Sequence, residues 1–564
     1  MMNRKIFMAT AVVLVVLGIA AFFRFYDITN FPAGLFPDEA ANGEDVKLIF
    51  NGDFRPFYAR NNGREAVFFY IQAAMVKHFG IGVWPLHVAA GIVGLLTVLV
   101  MYHATRVWFG RLSGILASLF LATNSWHVTA SRTGFRAIMV PFFIALFTWF
   151  VGETIQAAKK QQVMRSYVFA ALTGISFMGG FYTYIAYRAI VAVVLGVVVL
   201  LLVAALHPKI GFPHFKRYGK HVLIAWIAGA LIFVPLGWYF MQHPDSFLGR
   251  SGQVSVFNRD LQINNSVVQT MLVGTKKTVL SFFTEGDHNW RHNVGGYPLV
   301  NPLVGLLFIL GVIWAINGTV VVFWEIAKGR EVHLGMIYPY MLLLLLAMML
   351  PVITTAEGLP HALRSLGLLV PVFFLAGTAG SVILYWIKTK FQNQIVLRNF
   401  VWGAVVAILL GSILYDGSLY FLIARSSSDA YAAYRGDLTV AAEYINAHNT
   451  ADPKPYLVLD GFSDQTITFL TNTPVHDDGD TSKEALYLYR RLDPENSHLT
   501  NLQPGEQIIF TQSSMSDADR YEQIHRSKIK LLKSVKNTFG QEVMRVYAQP
   551  AAVEPGATEA DLDA

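Results

Sequence analysis

A chain of 564 residues that is 54% apolar and only 14% charged is neither a water-soluble globule nor a disordered segment. Its formal net charge of +7 points, in a membrane protein, to basic cytoplasmic loops rather than to nucleic acid. The absence of cysteine excludes disulfides, cysteine-ligated zinc, iron–sulfur clusters and a thiol nucleophile.

The chain opens on Arg4-Lys5 and an apolar run from Ile6 to Phe23, followed by Arg24-Phe25-Tyr26-Asp27 in place of a small-residue cleavage site. This predicts an uncleaved first helix with its N-terminus in the cytoplasm. Residues 24–83 then form a long outside segment, in which Ala66–Phe79 is expected to lie on the membrane as an interfacial helix. Roughly 20 apolar residues cross a bilayer. Ten further spans are expected near 84–104, 112–126, 137–152, 167–184, 188–206, 222–240, 302–324, 335–353, 366–386 and 399–415.

The parity is tested by charge. The segments that should face the cytoplasm are Arg4-Lys5, Arg106/Arg111, Lys159/Lys160/Arg165, Lys209/Lys216/Arg217/Lys220, Lys328/Arg330 and Lys388/Lys390/Arg398. They hold sixteen basic residues, against Glu153, Glu325 and Glu331. An odd count of eleven puts the C-terminus outside. The expected fold is therefore a polytopic α-helical membrane module over 1–415 with a small extracytoplasmic α/β domain over 416–549. In that domain Tyr456–Leu459 and Gln507–Thr511 read as buried strands and Asp517–Lys530 as a helix. Ile529–Val535 and Gln541–Ala548 read as a hairpin around Asn537-Thr538-Phe539-Gly540. The tail over 550–564 is read as disordered from its Ala/Glu/Pro/Asp content.

Ionisable groups at a membrane face are costly, so those present call for a reason. Asp38-Glu39, with Asn42, Glu44 and Asp45 behind, can serve as general base and partner or hold a cation; a helix N-terminus is the plainer reading. Arg60 and Arg64 flank a Gly-containing turn suited to phosphate or to lipid headgroups. In Ser131-Arg132-Thr133-Gly134-Phe135-Arg136 two arginines four apart are expected on one helical face, on the side where basic residues are disfavoured, which suggests a bound anion. Thr284–Pro298 is dense in Gly and polar residues, as a headgroup or phosphate cradle would be. Glu357–Arg364 adds His361, read as a hydrogen-bonded loop residue before a metal ligand. No nucleotide-binding or hydrolase motif stands in a credible context, so an activated donor outside the cytoplasm would most simply be lipid-linked.

Asp38-Glu39 resembles the acidic motif of GT-C glycosyltransferases. The Ser131–Ala137 stretch, Gly286-Asp287-His288-Asn289-Trp290-Arg291-His292-Asn293 and Pro360-His361-Ala362-Leu363-Arg364-Ser365 are similar to segments of bacterial relatives of protein O-mannosyltransferases and the aminoarabinose lipid A transferase. The resemblance covers about 1–415. It implies a membrane glycosyltransferase that takes sugar from a polyprenyl-phosphate donor to an extracytoplasmic protein, lipid or glycan, in the plasma (inner) membrane. Asp38 would be the base of an inverting displacement, with Glu39 in support. Arg64, Arg132, Arg136, Arg291 and His292 would bind donor phosphate, with Asp287, Asn289, His361 and Arg364 as further site candidates. Several relatives carry an acidic residue where Arg136 stands, and Arg64-Glu65-Ala66 replaces their Lys-Pro-Pro. A divalent cation, magnesium or manganese on Asp38 and Glu39, is thus left open, with Arg136 able to supply the charge instead. The alternatives are a transporter or flippase of an anionic lipid or solute, for which Arg188 and Tyr182–Tyr187 are the residues to check, a structural or sensory protein whose C-terminal domain does the binding, and a ligase of whole oligosaccharides.

Overall fold

The computed structural model describes residues 4–60, 63–207, 209, 213–247, 254–330, 332, 334–448, 453–473, 486–491 and 502–550. The first half of the chain runs α1 (Arg4–Phe25), α2 (Pro37–Phe50), β1 (Phe57–Tyr58), β2 (Arg64–Glu65), α3 (Val67–Phe79), α4 (Val83–Phe109), α5 (Arg111–Thr123), α6 (Ser125–Ser131), α7 (Met139–Lys159), α8 (Val163–Gly179), α9 (Ile190–Ala205), α10 (Pro213–Gln242) and α11 (Val267–Ser281). It continues with α12 (Pro302–Ala327), α13 (Ile337–Ile353), α14 (Leu369–Lys390) and α15 (Ile395–Ser418), then α16 (Ser428–Ala433) and α17 (Gly436–Ala447). The C-terminal part holds β3 (Tyr456–Leu459), α18 (Asp464–Leu470), β4 (Leu488–Arg491), β5 (Gln507–Thr511), α19 (Met515–His525), β6 (Lys530–Lys536) and β7 (Glu542–Ala548).

Two compact units divide this chain. One comprises 1–28, 55–71 and 87–426; the other comprises 29–54, 72–86 and 427–564.

The first unit is helical. Among the described residues eight helices are long and apolar enough to cross a membrane, against the eleven expected. Of the helices over the other three expected spans, two are short: α5 has 13 residues and α8 has 17. At 1.5 Å per residue, 13 residues reach about 20 Å, less than the ~30 Å hydrocarbon layer.

The span Leu366–Lys390 is the core of this unit: 83% of its most apolar window is buried, against 6% for Ile395–Ala424, which leaves the latter an outer helix. Small residues let neighbours close on it, as in other membrane bundles. A Cβ on Gly377 would strike the backbone of Ala117 in α5, and one on Gly311 of α12 the carbonyl of Leu375.

Buried polar groups stitch the helix ends. Asn301 donates to Asp416 Oδ2 and Ser412, and Ser125 N donates to Asp416 Oδ1. Arg24, buried at the end of α1, donates to Ala122 O at 2.8 Å and stands 2.7 Å from His127 Nδ1.

In the second unit the five strands lie in the order β4-β3-β5-β7-β6. β3 is parallel to β4 and β5, while β7 is antiparallel to β5 and β6. Period-two alternation gives the sheet two apolar faces. Leu457, Leu459, Ile509 and Val546 meet Leu438, Ala441 and Ile445 of α17 on one side. Val458, Ile508, Phe510 and Tyr547 meet Ala518 and Tyr521 of α19 on the other. β3 and β5 have the bounds expected from sequence. The expected helix Asp517–Lys530 runs instead from Met515 to His525, because Lys530 opens β6. The tail beyond residue 550 lies outside the described residues.

α2 belongs to this second unit, 400 residues away in sequence from most of its partners. The ring of Phe469 in α18 occupies the space a side chain on Gly43 would need. Thr466 Oγ1 donates to Leu35 O at 3.0 Å, and Phe31 meets Tyr434 edge-on.

Candidate functional site

α2 begins at Pro37, whose fixed φ suits the first helical position. Asp38 and Glu39 follow in the first turn, where the unsatisfied N–H groups favour carboxylates. Glu39 is fully buried and Asp38 is half-buried, so Asp38 is the more accessible acid. Asn42, Glu44 and Asp45 are buried as well.

Lys47, one turn before the end of α2, fixes this helix to the C-terminal fold. Its ammonium donates to Thr468 O and Thr473 O, both at 3.0 Å, and lies 5.4 Å from the Phe469 ring centre. It thereby meets carbonyls at and beyond the last turn of α18, the negative end of that helix. Burial pulls its pKa down from 10.5 to about 8, with Glu44 working in the opposite direction. Lys47→Met is expected to loosen α2 by about 1–3 kcal/mol, the range for charged hydrogen bonds and the carbonyls they leave behind. Faster amide exchange over 37–50 is the readout. The sign of the pH effect follows from the lowered value. Between about 8 and 10.5 the unfolded chain binds more protons than the folded one, so α2 is held more firmly as pH rises through that window. Lys47→Met removes this increment, and unchanged exchange in the variant at both ends of the window would refute the assignment.

In the first unit the short β1–β2 ladder pairs Phe57 with Glu65 and Tyr58 with Arg64. Glu65 is buried and bracketed by two guanidiniums, Arg136 Nε at 3.1 Å and Arg188 Nη2 at 3.6 Å. Aromatic faces complete the setting: Arg136 lies over Tyr184 at 5.2 Å and Arg188 over Phe247 at 4.3 Å. Arg64, also buried, lies over Phe69 at 5.3 Å.

Arg132 and Arg136 do not share a helical face as expected. α6 ends at Ser131, the chain through Thr133 and Gly134 is not helical, and a new turn starts at Arg136. Arg132 consequently turns the other way. It is fully buried, donates to Arg24 O at 2.9 Å and Tyr420 OH at 3.1 Å, and locks α1 to the end of the α15 segment.

The Thr284–Pro298 loop folds on itself. Gly286 N donates to Gly296 O, and Gly296 N to Asp287 O, with Gly296 at φ +76°. Asp287 is buried; its Oδ1 accepts from Asn289 N and its Oδ2 from Ala362 N, both at 2.8 Å. Arg291 donates to the Asn289 side chain. His292 approaches Asp287 Oδ2 through Nδ1 at 3.2 Å and stacks on His361 at 4.7 Å. Burial holds the His292 pKa below the usual histidine value, against the pull of Asp287 and helped by the charges of Arg291 and Arg364. Arg364 pairs with Glu357 Oε2 at 3.2 Å.

The structure thus gathers Asp287, Asn289, Arg291, His292, His361 and Arg364 into one cluster, and Arg136 with Glu65 into another. His361, in a loop as expected, is a stacked member of the first cluster. Sequence reasoning missed Glu65 and Lys47, and treated Arg188 only as a sign of transport. A carboxylate directly beside Arg64 was the available signal for Glu65.

No family model matches the chain, and no curated protein does. Solved structures do. The oligosaccharyltransferase AglB of Archaeoglobus fulgidus, solved with an inhibitory peptide and a dolichol-phosphate, is similar over 98% of this chain and 75% of its own, at 12% identity and a TM-score of 0.52. The same enzyme tethered to an acceptor peptide with the NVT sequon aligns over 96% and 74%, at 12% identity and 0.54. ArnT of Cupriavidus metallidurans, bound to undecaprenyl phosphate, aligns over 97% and 98%, at 16% identity and 0.48. At these identities the likeness is one of fold.

Proposed function

From a chain with the GT-C fold, we propose that this protein is a membrane glycosyltransferase. It moves a sugar from a polyprenyl-phosphate donor to an acceptor on the extracytoplasmic side of the plasma (inner) membrane. The observation that carries this reading is the buried excess of positive charge in the first unit. Arg136 and Arg188 stand around one carboxylate, Glu65, and Arg188 opens a membrane span. Net charge at such a place is costly unless an anion completes it. The phosphate of a lipid-linked sugar is an anion delivered from the bilayer itself, and AglB was solved with a dolichol-phosphate.

The chemistry divides between the residues as follows. Arg64, Arg136 and Arg188 bind the donor phosphate and stabilise the charge that grows on it as the glycosidic bond breaks. Asp38 takes the proton of the acceptor hydroxyl, and Glu39 supports it. A single displacement of this kind inverts the anomeric centre. Arg291, His292 and Arg364 offer further donors to the phosphate. Arg132, occupied with Arg24 O and Tyr420, is a positioning residue in this scheme.

The test is release of polyprenyl phosphate by purified full-length protein in lipid, from a panel of polyprenyl-phosphate sugars. Turnover or acceptor-dependent release with one donor is expected. Neither turnover nor binding of any donor would overturn the proposal in favour of transport.

A further inference from the structure

The cluster at Asp287 includes two side chains, Asp287 and His361, that the phosphate-binding scheme above leaves unused. It contains two stacked imidazoles and one carboxylate, with one ligand atom of each lying within 4.8 Å of the others. Two of the three are fixed tightly. Asp287 is oriented by backbone N–H groups from two separate loops, through Asn289 N on one oxygen and Ala362 N on the other. Its carboxylate oxygens keep lone pairs beyond those two bonds. His292 is held between Phe135, at 5.9 Å between ring centres, and His361, at 4.7 Å with the rings only 16° from parallel. A neutral imidazole is the form that ligates a metal.

We propose that Asp287, His292 and His361 form a divalent-cation site, with zinc the cation it fits best. Two imidazole nitrogens and a carboxylate oxygen suit a borderline ion and do not suit magnesium, which prefers oxygen. Metal–ligand distances of about 2.0–2.1 Å place tetrahedral ligand atoms about 3.4 Å apart. His292 Nδ1 and Asp287 Oδ2 are already 3.2 Å apart. A metal would take the lone pair of Nδ1 in the tautomer that carries its one proton on Nε2, and a small movement of His361 closes the third side. Three protein ligands leave one tetrahedral position for water or an acceptor atom. The backbone bonds to Asp287 are the outer-shell support that such sites carry. The ion also ties the 284–298 loop to the 357–365 loop. This site is distinct from a magnesium or manganese ion on Asp38 and Glu39 and does not depend on the glycosyltransferase reading.

Full-length protein, purified without a histidine tag and stripped with chelator, is titrated with zinc alone against a chromophoric chelator. Cobalt is used as the optical probe. One equivalent of zinc and intense tetrahedral-type cobalt bands are expected. In His361→Gln and in His292→Gln, affinity falls at least about 100-fold, beyond what loss of an outer-shell partner costs. Size-exclusion and thermal unfolding without metal show whether each variant is folded. Wild-type protein that binds no stoichiometric zinc overturns the proposal whatever the variants do. So does a weak, octahedral-type cobalt spectrum, or folded variants that bind zinc as the wild type does.

Discussion

Asp38→Asn is expected to lower sugar transfer by about 10²–10⁴-fold, the range that a positioned general base contributes. The substitution keeps the shape of the side chain and an oxygen that can accept a hydrogen bond. It removes the ability to hold the hydroxyl proton. Asp38 sits in the first turn of α2, where loss of its charge costs the favourable charge–dipole term, about 0.3–1 kcal/mol. The fold should therefore survive, and donor binding, assigned to arginines of the other unit, should change little. Initial rates of polyprenyl phosphate release, measured beside donor affinity, separate the two effects. A rate within tenfold of wild type removes Asp38 from the role of base. Glu39→Gln tests the same turn from its buried side, where loss of stability would accompany any loss of rate.

Glu65→Gln should destabilise the membrane unit by about 3–5 kcal/mol, the cost of removing one partner from a buried charge pair. Glu65 Oε2 meets Arg136 and Oε1 meets Arg188, and both arginines are largely buried. Without the carboxylate two guanidiniums face each other across a place shielded from water. The double variant Glu65→Gln/Arg136→Met should recover much of the loss, since it removes one of the opposed charges and keeps the volume. Such coupling is the expected outcome for residues in direct contact. Chemical unfolding in mild detergent reads both. Additive losses in the double variant would show that the three side chains do not act as one network. Polyprenyl phosphate should raise the stability of Glu65→Gln more than that of wild type, because the anion replaces the missing charge.

The legible parts of this protein were those set by runs of apolar residues. Helices such as α12 and α14 announce themselves through length, and β3 and β5 through short apolar runs bounded by turns. Local punctuation was less readable. The end of α6 at Ser131 separates Arg132 from Arg136, yet a single glycine in a polar loop does not say which way either side chain turns. For α2 only the start was legible, as a helix N-terminus at Asp38-Glu39, and its burial was not. Its sequence, PDEAANGEDVKLIF, has almost no apolar face, and nearly all of it is buried. It is buried by contacts with Phe469, Thr468 and Thr473, and no local pattern encodes a partner so far along the chain. Glu65 shows the same limit, since its meaning depends on Arg136 and Arg188.

That long-range closure has a consequence for how the protein comes into being. Lys47 finds Thr468 only 421 residues later in the chain. At about 5–20 residues per second, synthesis takes about 20–80 s to deliver that partner. For this time the acidic helix has left the ribosome without the strands, rings and carbonyls that hold it, while most of the membrane spans are being inserted. The carboxylate pair cannot be set in its final place before α18 has been made. A chain that stops before Thr468 therefore leaves this acidic turn without the carbonyls that hold Lys47, and synthesis through α18 is the step that lets α2 dock.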